Sequence, residues 1–224
     1  MINRIYQVPE WDKPSAEMIK IQNLFETYPN EAQLFIQNES GALIFLLDFD
    51  AVICGDIKVQ EVKPFLNFLR PKSVFSSADN LKRLFGDFEE VNVLINKSPS
   101  LKTGIDTFSD RLSSREAFDI LSVDEFDLPN YEHFATDYCR RLNHEKIKVF
   151  AKRDKCIAIT LETEKYRMIG GIASRQKGLG GALLIAASKG EKSVLCVARD
   201  ELLPFYERFG FEPLYKAGYW RIHN

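Results

Sequence analysis

The stretch Arg175-Gln176-Lys177-Gly178-Leu179-Gly180 decides how this chain is read. It follows an apolar, strand-like run at 166–173 and opens a helical run at 178–189, in which Leu179, Leu183, Leu184 and Ala187 supply core positions. Two glycines at a helix entry let the backbone approach a ligand closely. The helix start offers free N–H groups and the positive end of the dipole. Arg175 and Lys177 add charge. Together these features describe a phosphate-binding turn. No Gly-Lys-Ser/Thr follows and the spacing is not Gly-x-Gly-x-x-Gly, so the stretch is neither a P-loop nor a dinucleotide fingerprint. The plain alternative is a tight surface turn between strand and helix.

Working outward, the apolar pattern predicts a helix through Tyr131, Phe134, Ala135, Tyr138 and Leu142. Strands follow at 147–153, 156–162 and 166–173, joined by tight turns at Asp154-Lys155 and Thr163-Glu164-Lys165. Downstream come a buried strand at 193–198, a helix at 200–209 closed by Gly210, and strands at 213–217 and 219–222. The order is α-β-β-β-α-β-α-β-β, an α/β arrangement on a largely antiparallel sheet flanked by helices. The last helix ends Phe205-Tyr206-Glu207-Arg208-Phe209-Gly210-Phe211.

R-x-x-G-x-G at a strand-to-helix turn, then a buried strand, then a helix ending F-Y-x-x-x-G-F, resembles the GNAT superfamily of acyl-CoA-dependent N-acetyltransferases. The resemblance covers roughly residues 130–224. It implies that the strand at 166–173 splays from the strand at 193–198 and leaves a V-shaped cleft. Backbone groups of Ile172 and Ala173 would pair with the pantetheine arm of acetyl-CoA. N–H groups of Gln176, Lys177, Gly178, Leu179 and Gly180 would hold its pyrophosphate, and Arg175 would anchor the turn or touch phosphate. Tyr206 matches the family's tyrosine near the thioester sulfur; its alternative is an aromatic packed beside Phe205 and Phe209. The implied chemistry is direct attack of an amine on the thioester, without a metal. Tyr206 would protonate the leaving thiolate. Glu162 and Glu164 are the candidate bases, directly or through water, against a solvated hairpin turn as the plain reading. A non-catalytic acyl-CoA sensor is the rival reading, and aminoacyl transfer from tRNA a third.

Two departures from the family pattern bear on these roles. Ala173-Ser174 leads straight into Arg175, where family members usually carry several more residues. The tyrosine-bearing helix often begins with Asn in the family; here the chain reads Arg199-Asp200, so that pantetheine contact is lost or is replaced by Arg199.

The first half lacks both motifs. It has a helix capped by Ser15 and carrying Met18, Ile21, Leu24, Phe25 and Tyr28. Strands at 32–37 and 42–49 flank a turn at 38–41, and a short strand is read at 50–54. A helix at 60–69, a strand at 73–76, a helix through Leu81, Leu84 and Phe85 stopped at Gly86, and a strand at 91–95 complete it. Residues 97–130 are loop-like, rich in Ser98, Pro99, Ser100, Gly104, Ser109, Ser113 and Ser114, around a short helix at 115–121. The boundary is placed at Ser122/Val123. This gives an N-terminal α/β domain, 1–122, and a GNAT-like domain, 123–224. The first resembles a degenerate GNAT unit in its elements.

Composition removes other classes. The 224 residues are 45% hydrophobic and 28% charged, which is ordinary for a packed protein. Apolar runs such as 42–47 are far too short to span a bilayer, and the N-terminus lacks a signal-peptide pattern. Cys54, Cys139, Cys156 and Cys196 are dispersed, and His133, His144 and His223 show no metal spacing, so neither a disulfide framework nor a zinc site is expected. A reducing cytoplasm fits, with no membrane partner. The net charge of −2 argues against nucleic acid. It divides into −5 over 1–122 (13 basic, 18 acidic) and +3 over 123–224 (17 basic, 14 acidic). That split suits an anionic cosubstrate and an amine acceptor. A monomer and a homodimer are equally compatible with the sequence.

Overall fold

The computed structural model describes residues 1–97, 108, 112–122 and 128–222. Its first elements are β1 (Ile2–Ile5), α1 (Ala16–Thr27), β2 (Gln33–Gln37), β3 (Leu43–Leu47) and β4 (Asp50–Cys54). Next come α2 (Val59–Leu69), β5 (Ser73–Ser77), α3 (Ala78–Leu84) and β6 (Glu89–Asn96). The remainder is α4 (Ser114–Leu121), α5 (Tyr131–Asn143), β7 (Ile147–Lys152), β8 (Cys156–Glu162), β9 (Tyr166–Ser174), α6 (Leu179–Ser188), β10 (Ser193–Ala198), α7 (Leu203–Glu207) and β11 (Glu212–Arg221).

Local chemistry accounts for most boundaries. The Ser15 hydroxyl accepts from the Met18 amide at 3.2 Å and starts α1. Ser113 and Glu116 form a reciprocal capping box at the head of α4. Gly86 takes φ of +85° just after α3, where the helix must stop.

The chain forms two compact units. The first comprises Met1–Leu94, Val197–Leu203 and Pro213–Asn224; the second comprises Ile95–Cys196 and Pro204–Glu212. A division at 122/123 falls between α4 and α5, which both belong to the second unit. The final strand returns to the first unit because its side chains are tied there. Tyr215 accepts from the Ala16 amide at 2.9 Å and donates to Glu17, and Lys20 donates to the Tyr219 hydroxyl at 2.9 Å.

In the first unit the strand order is β1-β2-β3-β4-β5-β11-β6. All the registered pairs there are antiparallel except β4–β5, which α2 joins as a crossover. Its core gathers Ile44, Ile53, Val62, Val74 and Leu81. In the second unit the order is β10-β9-β8-β7, with β9–β10 parallel around α6 and the other pairs antiparallel. Its core gathers Ile120, Tyr138, Val149, Ile157 and Ala173. Both units are mixed α/β with mostly antiparallel sheets and flanking helices. The chain repeats one order of elements: helix, three-strand meander, crossover helix, parallel strand, helix, strand. It runs α1 to β6 and then α5 to β11.

Three expectations change. Strand β1 was not anticipated; four residues with no alternation carry too little pattern. The two strands expected at 213–217 and 219–222 are one strand, β11. Gly218 reads as a break, but a Cβ there would lie 2.5 Å from the Phe88 ring and 2.7 Å from the Glu89 carbonyl, so the glycine permits close approach instead. The helix expected at 200–209 is a 3-10 turn, Asp200–Leu202, followed by the five-residue α7. Of the connector, Ser98, Pro99, Ser100, Gly104 and Ser109 lie outside the described residues, as do Val123 and His223.

Candidate active site

Strand β9 carries the site. Its register against β8 runs from Cys156↔Ser174 to Ile159↔Gly171 and resumes at Thr160↔Ile169, leaving Gly170 as a bulge. A Cβ at Gly170 would sit 2.3 Å from Leu161 Cδ1, so a larger residue at the bulge would require the Leu161 side chain to move. Pairing with β10 covers only Tyr166–Ile169, against Ser193–Cys196, and ends one residue before the bulge. From Gly170 to Ser174, β9 is therefore paired on its β8 side alone. Ile172 and Ala173 lie on this stretch, and among the described residues no side chain bonds to their backbone groups.

The strand runs directly into the basic turn. The Arg175 amide donates to the Lys155 carbonyl at 2.7 Å, and the Ser174 hydroxyl donates to the Gln176 carbonyl at 2.8 Å. Gly178 adopts φ of +90° as the N-cap of α6, a conformation that other residues adopt only with strain. It offers no side-chain cap; the Leu179 amide donates to the Gln176 carbonyl at a long 3.4 Å, and no side chain caps the N–H groups that follow in this ten-residue helix. Residues 174–178 are exposed, Lys177 among them. Arg175 donates to the Asp119 carbonyl in α4, so the guanidinium anchors the turn.

The two motifs touch. A Cβ at Gly180 would meet Phe205 at 3.8 Å, and one at Gly181 would meet the Phe209 ring at 2.5 Å. The start of α6 thus packs against α7 and its end at a distance only glycine allows. Phe205 stacks edge-on to Tyr206 with centroids 5.2 Å apart, and Tyr206 to Phe211 at 5.6 Å. Tyr206 is 4% exposed. Burial pushes its phenol well above the usual value, and the Cys196 thiol adds to the shift. Tyr206 therefore stays protonated at any ordinary pH. Gly210 at φ of +82° ends this segment, and Asn96 donates to the Phe209 carbonyl at 3.0 Å. Asn96 was not foreseen: one polar residue at the end of a strand carries no local signal of its partner 113 positions away.

The other candidates lie elsewhere. Glu162 is buried and accepts from Arg167 at 2.6 Å and from the Thr160 hydroxyl at 2.8 Å. Glu164 is exposed in the β8–β9 turn. It is six residues from the bulge, about 20 Å of extended strand. Arg199 belongs to the first unit and pairs with Glu89 at 3.2 Å. Its neighbour Asp200 accepts from Asn92 at 2.7 Å and from Lys216 at 3.1 Å, and both contacts hold its carboxyl below the usual range. Cys156 and Cys196 are core residues at 0% and 1% exposure. Among the described residues no cluster of His, Cys, Asp and Glu could hold a metal, and no helix is long and apolar enough to cross a membrane.

No protein-family model matches the sequence, and no curated protein matches it. Solved structures do. A GCN5-related N-acetyltransferase from Sphaerobacter thermophilus aligns with a TM-score of 0.51 at 16% identity, over 87% of this chain and 81% of that one. A tandem GNAT protein from the clavulanic acid biosynthesis pathway aligns at 0.56 and 11% identity, over 95% and 89%. A GNAT-family acetyltransferase from Colwellia psychrerythraea aligns at 0.53 and 7% identity over the full length of both. Likenesses at this level of identity speak to architecture, and with the bulged strand, the uncapped helix start and the interlocked motifs they establish that this chain has the GNAT fold.

Proposed function

We propose that this chain is an N-acetyltransferase that moves the acetyl group of acetyl-CoA to a primary amine of a small molecule or protein. One observation carries the reading. A strand edge without a partner, from Gly170 to Ser174, leads into a helix start without a cap, and that start packs on the segment bearing Tyr206. The unpaired edge suits the amide-bearing pantetheine arm as an added strand. The N–H groups at 176–180 suit a diphosphate, with Lys177 adding charge.

The amine nitrogen attacks the thioester carbonyl. A C–N bond forms and the C–S bond breaks. N–H groups at the β9 bulge stabilise the oxyanion. The Tyr206 hydroxyl gives its proton to the leaving thiolate and is reprotonated from water; the new ammonium loses its extra proton to solvent. A free thiol ionises near 8.5 and a phenol near 10, so transfer is uphill in water. Burial raises the phenol further, so the transfer requires the leaving thiolate to be desolvated at least as strongly in the closed site. With Glu162 engaged by Arg167 and Glu164 remote along the strand, the amine enters as its free base.

Residues 1–122 are read as a degenerate copy of the same unit that supplies scaffold, supported by the repeated order of elements from α1 to β6. A module that binds acyl-CoA without turnover is the second reading, favoured by the tight Ser174–Gln176 turn and the anchoring of Arg175. Calorimetry with acetyl-CoA and a thiol-release assay over an amine panel separate the two. Binding with amine-dependent release supports the transferase; binding without release supports the module; no binding removes both.

A further inference from the structure

Arg167 lies on β9 three residues before the bulge and is 8% exposed. Its Nη1 donates to the carbonyls of Ala187 at 2.9 Å and Lys189 at 2.8 Å, in the last turn and at the C-cap of α6. Its Nε donates to Glu162 Oε1 at 2.6 Å and its Nη2 to Oε2 at 3.4 Å. Glu162 is held in turn by Thr160, with the Lys192 ammonium 3.7 Å away. The guanidinium fork is thus used on two sides at once, which a lysine point charge cannot reproduce. A cation at this end also complements the helix dipole, and Glu162 balances its buried charge. Strand β9 therefore grips α6 at both ends, through the turn at its start and through Arg167 at its finish.

We propose that Arg167, oriented by Glu162, is a positioning residue for the diphosphate of the acyl-CoA. The proposal rests on the acetyl-CoA reading above. The start of α6 has a glycine N-cap and no side-chain cap, so its axis is set by its packing on α7 together with the grip at its finish. A ten-residue helix is about 15 Å long, so once its finish is released a tilt of about 10° about its middle moves its first N–H groups by about 1 Å. That displacement is enough to take a donor out of hydrogen-bond range. The grip at the C-terminus holds those donors where a diphosphate can use them.

The test compares Kd for CoA with Kd for pantetheine, which has the same arm and no diphosphate, on the full chain and on R167M, R167K and E162Q. CoA binding weakens about tenfold in R167M and by less in R167K and E162Q, while pantetheine binding changes by less than about twofold in all three. A structural fault would weaken both ligands in proportion. That result, or no change in either ligand, overturns the positioning role. Should R167M fail to fold, R167K and E162Q decide by the same ratio. Wild-type chain that binds no CoA overturns the acetyl-CoA reading itself, whereas wild-type binding with unaltered selectivity in the variants overturns only the role of Arg167.

Discussion

The turn from β4 into α2 and the turn from β9 into α6 stand at the same point in the repeated order of elements, yet their backbones are treated in opposite ways. Parallel pairing of β4 with β5 ends at Val52, as pairing of β9 with β10 ends at Ile169. Beyond Val52 the divergence is filled. The Ser76 hydroxyl donates to the Ile53 carbonyl, Asn80 to that of Gly55, and Arg83 to that of Ile57, at 2.7–2.8 Å. Gln37 accepts from the Lys58 amide at 2.8 Å and donates to the Lys58 carbonyl at 3.2 Å. Beyond Ile169, among the described residues, no side chain takes the backbone groups of Gly170–Ala173, and within the turn the Ser174 hydroxyl takes the Gln176 carbonyl. The tyrosine differs too. Phe85-Gly86 and Phe209-Gly210 end their segments alike, both glycines in the left-handed region, but Lys82 stands in α3 where Tyr206 stands in α7. On the function proposed above, one topology serves as a joint or as a site according to whether neighbouring side chains consume its backbone groups.

The comparison breaks most sharply at Tyr206. Tyr206→Phe should lower kcat by about a hundredfold or more, with Kd for acetyl-CoA nearly unchanged. Full activity across a broad amine panel would return Tyr206 to a packing role. The pH profile tests the same group. Its phenol is raised, so the acid form persists, and the rate should climb with pH as the amine loses its proton, with no descending limb below about pH 10. A fall centred below pH 9 would assign the acid elsewhere.

Gly181→Ala should cost about 1–3 kcal/mol of stability by pressing on the Phe209 ring, read as a lower denaturation midpoint, and should reduce kcat by shifting α7. An unchanged midpoint would show that the two motifs do not depend on each other. Asn80→Ala should also cost about 1–3 kcal/mol, because the buried Ser76 hydroxyl and the Gly55 carbonyl lose their donor, yet leave Kd for acetyl-CoA unaltered. A change in that Kd would mean the first turn takes part in binding. The smallest effect is expected at Lys177→Ala, about two- to fivefold weaker acetyl-CoA binding that disappears at high salt.

Much of the fold was legible because periodicity and caps are local. Ser15 before α1, Gly86 after α3 and the 156–162 and 193–198 runs all declared themselves. Gly178 and Gly180 were legible as a strand-to-helix turn because their spacing relative to strand and helix is a sequence property. Gly170 was not, because a bulge is a fact of register between β8 and β9. Glu162 read as a base from its place near a cleft strand; its partner Arg167 faces it across the hairpin, and only the pairing shows the carboxylate consumed.

The sequence by itself determined most of the elements, the basic glycine turn and the tyrosine segment, since each depends on residues a few positions apart. Tertiary structure alone decided three things. It returned β11 to the first unit through Tyr215 and Lys20, it set Gly181 against Phe209, and it filled one strand divergence while leaving the other open. The physical reason is common to all three. Each is a contact between residues far apart in sequence, and its energy depends on distance and burial that no local pattern encodes.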